Sequence, residues 1–338
     1  LSHFGSSSYK LAAESFMHAL PSGPWNHEMS RAVELPEIGP VSTAKIPGQG
    51  RLYLASRNIE EGEHLLSEPR PLLSAVRDAC GRRVCANCFV EKQALSHCCL
   101  ACSRVWYCSD ECKDADILHV AECGALSRLE RLNASDHSVF VRLVIRALTN
   151  GDASTLRMMG HLHSGLDDFR RQADWSDRDG RYRKIWEMAR RALGDEYALQ
   201  LETVRHLLAV FECNFFVLWG RHRKQRLGIC VYESGSFFNH ACRPNVARVQ
   251  HGCRADFYAL EPVAEGDALY ISYVDPRLSQ TERLRILHHR YGFRCGCASC
   301  GRDSILDLCP YHLGYMIPRR NGSSWCSVCG AEKVSQQK

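Results

Sequence analysis

The amino-acid sequence predicts an α+β fold. In this fold a β unit is split by a cysteine-rich zinc-binding module and a helical insertion, and a second cysteine-rich zinc-binding region follows. Short β-like runs occur on both sides of a stretch that has helical apolar spacing. Nineteen cysteines, most of them in closely spaced pairs, lie mainly before and after that stretch. The length of 338 residues and the 45% hydrophobic composition are sufficient for a substantial core and two or three units.

The β unit opens at 50–76, where two apolar stretches separated by "EEGE" have the pattern of a strand, a turn and a second strand. Further β-like runs, each bounded by Gly or Pro, lie at 227–232, 246–250, 255–260 and 268–274. We therefore expect the β unit to resume after the insertion. Residues 1–40 show no clear period apart from a short helical pattern at Tyr9–His18, and they are interpreted as an extension.

Helical apolar spacing predicts helices at 139–148, 181–193 and 197–211. A further helix is predicted at 279–293, because Ser279 and Glu282 have the spacing of a capping box. Its apolar side chains fall near one face: Leu284, Leu287 and Tyr291. This helix leads directly into the sequence "CGCASC".

Composition excludes several classes of protein. No stretch approaches the roughly 18 uninterrupted apolar residues of a membrane-spanning helix, so no membrane role is expected. A net charge of +5 is too weak for a dedicated nucleic-acid binder, and no basic run is interleaved with aromatic residues. Paired cysteines without a secretory signal favour metal binding over disulfides, which leaves nucleus and cytoplasm as the expected locations.

The first cysteine cluster supplies eight ligands, enough for two tetrahedral zinc sites. The ligands are Cys85, Cys88, Cys99, Cys102, Cys108, Cys112, His119 and Cys123. The ligand pairs could bind the two ions in sequence order, but the short separation in sequence between Cys102 and Cys108 favours an interleaved arrangement. One ion would then bind Cys85, Cys88, Cys108 and Cys112, and the other would bind Cys99, Cys102, His119 and Cys123. Cys98 competes with Cys99 for its place, and buried free thiols are the alternative to zinc.

The later cysteines predict two more sites. Cys295, Cys297 and Cys300 are three ligands of a tetrahedral site, and Cys242 is the candidate for the fourth. A fourth zinc site in the tail would use Cys309, His312, Cys326 and Cys329. The alternative for the tail is a loosely ordered segment. The sequence thus predicts three zinc ions and allows a fourth.

The first cluster, with "VWYCSDEC", resembles a MYND zinc finger, which implies an interaction module that receives proline-rich peptides. "GQGRLYLASRNIEEGE", "GSFFNHACRPN", "EGDALYISYVD" and "CGCASC" occur in the order of SET-domain motifs. Over about residues 45–300 the chain resembles the SET-and-MYND (SMYD) family of protein-lysine methyltransferases. By this resemblance the chain divides into an extension (1–44), the first SET half (45–80), a MYND-type finger (81–124), a helical insertion (125–226), the second SET half (227–278), a post-SET region (279–303) and a zinc-ribbon-like tail (304–338).

The resemblance implies binding of S-adenosylmethionine and methylation of a lysine on a histone or another protein. The implied cofactor-binding residues are Gln49, Gly50, Arg51, Cys213, Asn214, Asn239, His240, Tyr273, Tyr291 and Phe293. Glycine permits close backbone approach and arginine can bind a carboxylate with two hydrogen bonds, which suits the methionine part of the cofactor. Tyr273 and Tyr291 are the implied catalytic residues, which would align and desolvate the lysine amine.

Two positions depart from the family pattern. Leu52 stands where the family has glycine, and Gln49 stands where the family often has a basic residue. These departures support a second hypothesis, an interaction protein of the same fold that is catalytically weak or inactive and acts as a transcriptional co-regulator. A third hypothesis, binding of nucleic acid through the fingers, has no base-reading helix to support it.

Overall fold

A computed structural model describes residues 39–46, 50–129, 137–150, 159–220, 225–301, 309 and 315–334. The helix predicted at Tyr9–His18 lies outside these residues. The described residues belong to two compact units. The helical unit comprises those within Leu72–Asn214 and Leu227–Cys230, and the sheet unit comprises those within Leu35–Pro71, Phe215–Arg226 and Val231–Lys338. Within the described ranges, no helix has both the length and the apolar character required to cross a bilayer.

The strands are β1 (Val41–Ile46), β2 (Gly50–Ala55), β3 (His64–Glu68), β4 (Leu73–Val76), β5 (His97–Cys98), β6 (Trp106–Tyr107), β7 (Phe215–Trp219), β8 (Arg226–Val231), β9 (Asn239–His240), β10 (Val246–His251), β11 (Arg254–Ala259), β12 (Ala268–Ile271), β13 (Met316–Pro318), β14 (Ser323–Cys326) and β15 (Glu332–Val334). The helices are α1 (Asp110–Asp114), α2 (Ile117–Arg128), α3 (His137–Asn150), α4 (Leu166–Arg170), α5 (Trp175–Leu193), α6 (Leu201–Asn214) and α7 (Gln280–Tyr291).

In the helical unit, α3 is the central helix and packs against α2, α5, α6 and β4. Its apolar side chains are almost completely buried, as expected for a helix with neighbours on several sides. Strand β4 pairs with the part of β8 that belongs to this unit. The two backbones approach so closely that a Cβ on Gly228 would lie 2.2 Å from the carbonyl oxygen of Ala75. Glycine is therefore required at this crossing.

A buried ionic cluster joins α2 to α3. The Glu122 carboxylate is fully buried, and Oε1 accepts a hydrogen bond from Arg142 at 2.9 Å. Oε2 accepts a hydrogen bond from Arg146 at 3.0 Å, and Arg146 also donates to the backbone oxygen of Ser74 at 3.0 Å. Burial alone would raise the pKa of Glu122, but the two guanidinium groups keep that pKa well below its usual range. The two arginines therefore favour the ionised form of Glu122.

The sheet unit contains two sheets that form the centre of the β fold. In the first sheet the strand order is β1-β2-β12-β9, and in the second it is β10-β11-β3. Strands β1 and β2 pair along their whole length, from Val41 opposite Ala55 to Ile46 opposite Gly50. Strand β12 pairs antiparallel with β2 and parallel with β9, the short strand that contains Asn239 and His240. This parallel pairing joins two segments that are distant in sequence.

The tail forms a small sheet of its own, in the order β13-β14-β15, and packs against β10 and β11. Ile317 is fully buried against Ala247 and Val249. The Trp325 ring meets the Tyr258 ring edge-on, with the ring centroids 5.4 Å apart. These contacts make the described part of the tail an integral layer of the sheet unit.

The strands and helices predicted from the pattern are present, with differences in their bounds, since the helix predicted at 181–193 begins at Trp175 and the run 268–274 forms a strand only to Ile271. Strand β1 begins at Val41, inside the predicted extension 1–44, because its backbone completes a hairpin with β2. The second apolar stretch of 50–76 forms two strands, β3 and β4, because Pro69 and Pro71 interrupt it. The helix predicted at 197–211 begins at Leu201, since Ala198 has a positive φ of 44° that ends a preceding 3₁₀ turn. The predicted helical insertion 125–226 ends in strand β7.

We predict that Glu122→Gln destabilises the protein by about 3–5 kcal/mol, because it leaves two buried guanidinium groups without their counter-charge. The measurement is chemical denaturation of the zinc-replete protein, followed by far-UV circular dichroism. Glu187→Gln, the same change at an exposed position of α5, is the matched control and should stay within about 0.5 kcal/mol of wild type. Equal stabilities for the two variants would contradict a structural role for the cluster.

Candidate active site and metal centres

The helical unit contains two groups of side chains whose ligand atoms all lie within 4.8 Å of one another. The groups are Cys85, Cys88, Cys108 and Cys112, and Cys99, Cys102, His119 and Cys123. They are the two sets that the interleaved arrangement predicts. Cys98 lies outside both groups, and its thiol donates to the backbone oxygen of Cys99 at 3.6 Å. Sets of four thiols, or of three thiols and one imidazole, are donors that suit zinc in a closed structural site.

Glu122 also orients the histidine of the second group. The Nε2 atom of His119 lies 3.6 Å from the Cys102 sulfur, on the ligand side. The Nδ1 atom lies 3.5 Å from Oε1 of Glu122, on the opposite side of the ring. A carboxylate behind a ligating imidazole fixes its tautomer and its orientation. The buried ionic cluster therefore extends to the finger.

The sheet unit brings Cys242 to the three cysteines that follow α7. The sulfur of Cys242 lies 3.6 Å from that of Cys300 and 3.9 Å from that of Cys295, and the group of four also includes Cys297. This is the fourth ligand that the sequence predicts. Because Cys242 follows β9 by two residues, a bound ion would join the end of α7 to the Asn239-His240 segment.

In the tail, Cys309, Cys326 and Cys329 form a group of three. Cys309 and Cys326 are buried together with Met316, so this group belongs to a small apolar core. The predicted fourth ligand, His312, lies outside the described residues.

Aromatic side chains gather where β12 leaves the sheet. The ring centroids of Tyr273 and Tyr291 are 4.9 Å apart, and the His240 ring lies 5.3 Å from Tyr273 and 6.1 Å from Phe293. The backbone N–H of Tyr273 donates to Nδ1 of His240 at 3.0 Å. Burial, followed by the positive charge of Arg283, lowers the pKa of His240 to about 4. The imidazole is therefore neutral at physiological pH.

Two hydrogen bonds fix the tyrosines of this cluster. The Tyr273 hydroxyl donates to the backbone oxygen of Phe238 at 2.8 Å, and the Tyr291 hydroxyl donates to the backbone oxygen of Tyr273 at 3.4 Å. A tyrosine hydroxyl that donates its proton can also accept a hydrogen bond through its oxygen. The structure thus brings together four predicted site residues: His240, Tyr273, Tyr291 and Phe293.

Arg51 is a half-buried cation on β2, and its guanidinium carbon lies 4.9 Å above the centre of the Phe237 ring. Burial lowers its pKa. Among the described residues no carboxylate forms an ion pair with Arg51. Gly50, beside it, has a positive φ of 72°, and a Cβ there would meet only open space. Gln49 lies outside the described residues.

The structure shows where the Leu52 side chain points. Tyr53 lies one position further along β2, and its ring is 5.9 Å from that of Phe237, the ring that Arg51 covers. Arg51 and Tyr53 therefore share one face of the strand. Successive side chains of a strand point to opposite faces, so Leu52, which is fully buried, points away from Arg51. The departure from glycine adds to the core on the face of β2 opposite Arg51.

Cys213 and Asn214 belong to the helical unit, at the end of α6. The Asn214 amide group donates at 2.7 Å to the backbone oxygens of Val210 and His163. Gly165, with a positive φ of 58°, leaves room for the sulfur of Cys213, which would be 2.9 Å from a Cβ there. Both residues thus have local structural contacts, and their role at the cofactor stays a prediction.

Asn245 and Glu68 are not among the predicted site residues, but both are important for the geometry of the site. Asn245 donates to the backbone oxygen of Ala268 at 2.9 Å and accepts from the backbone N–H of Tyr270 at 2.7 Å, which fixes the β9–β10 turn to β12. Glu68 accepts hydrogen bonds from the backbone of Ser234 and Gly235. In the sequence, the only feature that indicates the Glu68 contact is a carboxylate at the end of an apolar strand.

Comparison with known proteins adds to these observations. The family model of the SET domain matches residues 50–274, about two thirds of the chain. The chain belongs to the SET-domain family. This SET-domain protein is 30% identical to N-lysine methyltransferase SMYD2-B of Danio rerio, over 77% of its own length and 59% of the relative's. It is 25% identical to histone-lysine N-methyltransferase SMYD1 of Homo sapiens, over 77% of its length and 56% of the relative's.

These matches confirm the resemblance to SMYD-type proteins and the predicted α+β class. Among solved structures, the SET domain of LSMT bound to lysine and AdoHcy is 13% identical, with a TM-score of 0.47, and the match covers 86% of this chain and 58% of that one. This SET-domain protein spans less than two thirds of the length of the curated relatives it matches.

We predict that Cys242→Ser lowers the zinc content of the purified protein by about one ion per chain, because three thiolates do not complete a closed tetrahedral site. The measurement is atomic emission of metal and sulfur in the same sample. Cys253→Ser is the control, since that thiol lies outside every ligand group and its loss should leave the zinc content unchanged. Unchanged zinc in Cys242→Ser would show that this cysteine is not a ligand.

Proposed function

We propose that the protein is an S-adenosylmethionine-dependent protein-lysine N-methyltransferase. The observation that carries the proposal is the parallel pairing of β9 with β12, which places Asn239 and His240 beside the strand that leads to Tyr273. Membership of the SET-domain family and similarity to proteins named as lysine methyltransferases support it.

The residues present fit the cofactor. The Arg51 guanidinium would bind the methionine carboxylate, Gly50 would permit close approach of the backbone, and the Asn239-His240 segment would bind the amino acid and adenine groups. Gln49, Cys213, Asn214 and Phe293 complete the proposed set. The bound cofactor supplies a methyl group on a positively charged sulfur.

The protein's own contribution is alignment and desolvation of the lysine amine. The rings of Tyr273 and Tyr291 would form walls that exclude water, and the lone pairs of the Tyr273 hydroxyl would accept an N–H of the lysine. Burial lowers the pKa of an amine and so increases the neutral form that can react. The neutral His240 beside them adds no competing positive charge.

The remaining assignments extend this proposal. The substrate is a protein that presents a lysine, either a histone or a non-histone protein, in the nucleus or the cytoplasm. The finger is proposed to be of MYND type and to receive a proline-rich peptide. Its exposed apolar side chains support a partner there: Leu100 is 90% exposed, Ile117 73% and Val120 75%. Three zinc ions are proposed at the four-ligand groups, with a fourth at the tail cysteines.

The second candidate function is an interaction protein of the same fold without methyl transfer. The sequence feature in its favour is Leu52 in place of glycine. Because the buried Leu52 side chain points away from the face of Arg51, this departure does not obstruct that face. Cofactor binding distinguishes the two functions.

We predict that the zinc-replete protein binds S-adenosylmethionine and that Asn239→Ala weakens binding about tenfold or more, because hydrogen bonds to a charged ligand are lost. The measurement is isothermal titration calorimetry, with zinc content determined on the same samples. Asn58→Ala, at an exposed asparagine of the sheet unit, is the control. Absence of binding to fully metallated wild type would favour the interaction protein.

We predict that Tyr273→Phe lowers methyl transfer about a hundredfold and reduces cofactor affinity much less, because the aromatic ring remains and the change removes the hydroxyl proposed to act on the reacting amine. The measurement is transfer of tritium-labelled methyl groups to an array of lysine-containing peptides. Tyr258→Phe, which removes a hydroxyl from β11 outside the aromatic cluster, should retain full activity. Full activity of Tyr273→Phe would remove this hydroxyl from the mechanism.

A further inference from the structure

Glu68, at the end of β3, is a buried acid that the proposed mechanism does not use; its residue is only 7% exposed. Its Oε1 atom accepts the backbone N–H of Ser234 at 3.0 Å, and its Oε2 atom accepts that of Gly235 at 2.7 Å. The backbone of Glu233 also donates to it. The carboxylate therefore receives successive N–H groups at the start of the 3₁₀ turn Gly235–Phe237. A negative charge is favourable at such a position.

The fit between this carboxylate and the turn is tight. A Cβ on Gly235 would lie 3.1 Å from Oε2 of Glu68 and 2.9 Å from the ring of Phe257. The Ser236 hydroxyl donates to the backbone oxygen of Tyr232 at 2.5 Å, which closes the turn on itself. Only a glycine at 235 allows the carboxylate and the backbone to meet at this distance.

The turn leads without interruption into the candidate site. Phe238 follows it, with its ring stacked on Phe257 at 4.7 Å between centroids and edge-on to Tyr53 at 4.8 Å. The backbone oxygen of Phe238 is the atom that accepts the Tyr273 hydroxyl, and Asn239 is the next residue. A displacement of the turn would therefore move both the acceptor of Tyr273 and the proposed cofactor-binding segment.

We propose that Glu68 is a positioning residue, whose ionised carboxylate holds the 233–238 turn in the conformation that presents Asn239 to the cofactor and the Phe238 carbonyl to Tyr273. The part that concerns the cofactor rests on the proposed function. The part that concerns Tyr273 is independent of any ligand.

The electrostatic surroundings make this contact sensitive to pH. Burial raises the pKa of Glu68 to about 7, opposed by the N–H groups of the turn and reinforced by the charge of Glu233. The other titratable group that interacts with it is Tyr53, whose pKa is raised well above its usual range by burial. Asp256 and Arg254 contact Ser67, whose side chain points to the opposite face of β3.

The ionised form, which accepts both N–H groups, dominates above pH 7, and the protonated form dominates below it. The expected consequence is that cofactor affinity rises with pH through this range. One pH unit below the pKa leaves about a tenth of the carboxyl groups ionised, so affinity at pH 6 should be about tenfold weaker than at pH 8. The pKa of His240, about 4, lies outside this window.

The experiment uses the zinc-replete full chain and three variants: Glu68→Gln, Glu68→Asp and the control Glu265→Gln. Glu265 is an exposed acid in the turn before β12. The first readout is calorimetric affinity for S-adenosylmethionine at pH 6 and pH 8. The second is the ¹³C NMR shift of the Tyr273 ring carbon that bears the hydroxyl, followed from pH 5.5 to pH 8.5 without cofactor and assigned by its loss in Tyr273→Phe. Thermal denaturation accompanies each variant.

Wild type and Glu265→Gln should show the tenfold pH effect and a Tyr273 shift that titrates near pH 7. Glu68→Gln should show weak affinity at both pH values and no titration of Tyr273, and Glu68→Asp should restore part of the pH effect. If wild type binds no cofactor while Tyr273 titrates with Glu68, the positioning role stands and the proposed function fails. A Tyr273 signal in wild type that does not respond between pH 6 and pH 8 would overturn the positioning role even if Glu68→Gln does not fold.

Discussion

The meeting of Cys242 with the three cysteines after α7 is the constraint on which the candidate site depends. These ligands are separated by more than fifty residues of chain, and they come within 4.8 Å of one another. Besides this junction, the packing of Leu287 and its neighbours and the hydrogen bond from the Tyr291 hydroxyl to the Tyr273 backbone hold the end of α7 in place. The aromatic cluster is thus held in place by the sheet on one side and by the group of four cysteines on the other.

Hydrogen bonds between side chains and backbone also hold the candidate site in place, in addition to the sheets. Strand β9 has only two residues, too short to hold its position by ladder hydrogen bonds alone. Asn245 attaches the following turn to β12, and Glu68 attaches the preceding turn to β3. His240 accepts the N–H of Tyr273. Polar groups that leave the core at this point therefore have structural partners of their own.

Much of this arrangement could be predicted from sequence, because the signals are local. Paired cysteines, the Ser279 helix cap and the β-like runs at 246–250 and 255–260 each depend on near neighbours, and the structure contains all three. Cys242 could be predicted as the fourth ligand only by combining it with the cysteines after α7, more than fifty residues further along the chain. The contacts of Glu68 could not be predicted, since a single carboxylate does not indicate which distant backbone it will meet. Strand β7 could not be predicted, because "FFVLW" has apolar spacing compatible with either a helix or a strand.

The Glu122 cluster has a consequence for how this protein can be divided. Helix α2 supplies ligands to the finger and also the carboxylate that binds Arg142 and Arg146 of α3. A fragment cut directly after Cys123 would retain Glu122 behind His119 but lose both guanidinium groups, and the carboxylate would be exposed to water. The second ligand group is therefore connected to α3 through Glu122, and a fragment that keeps this connection must include α3 as well.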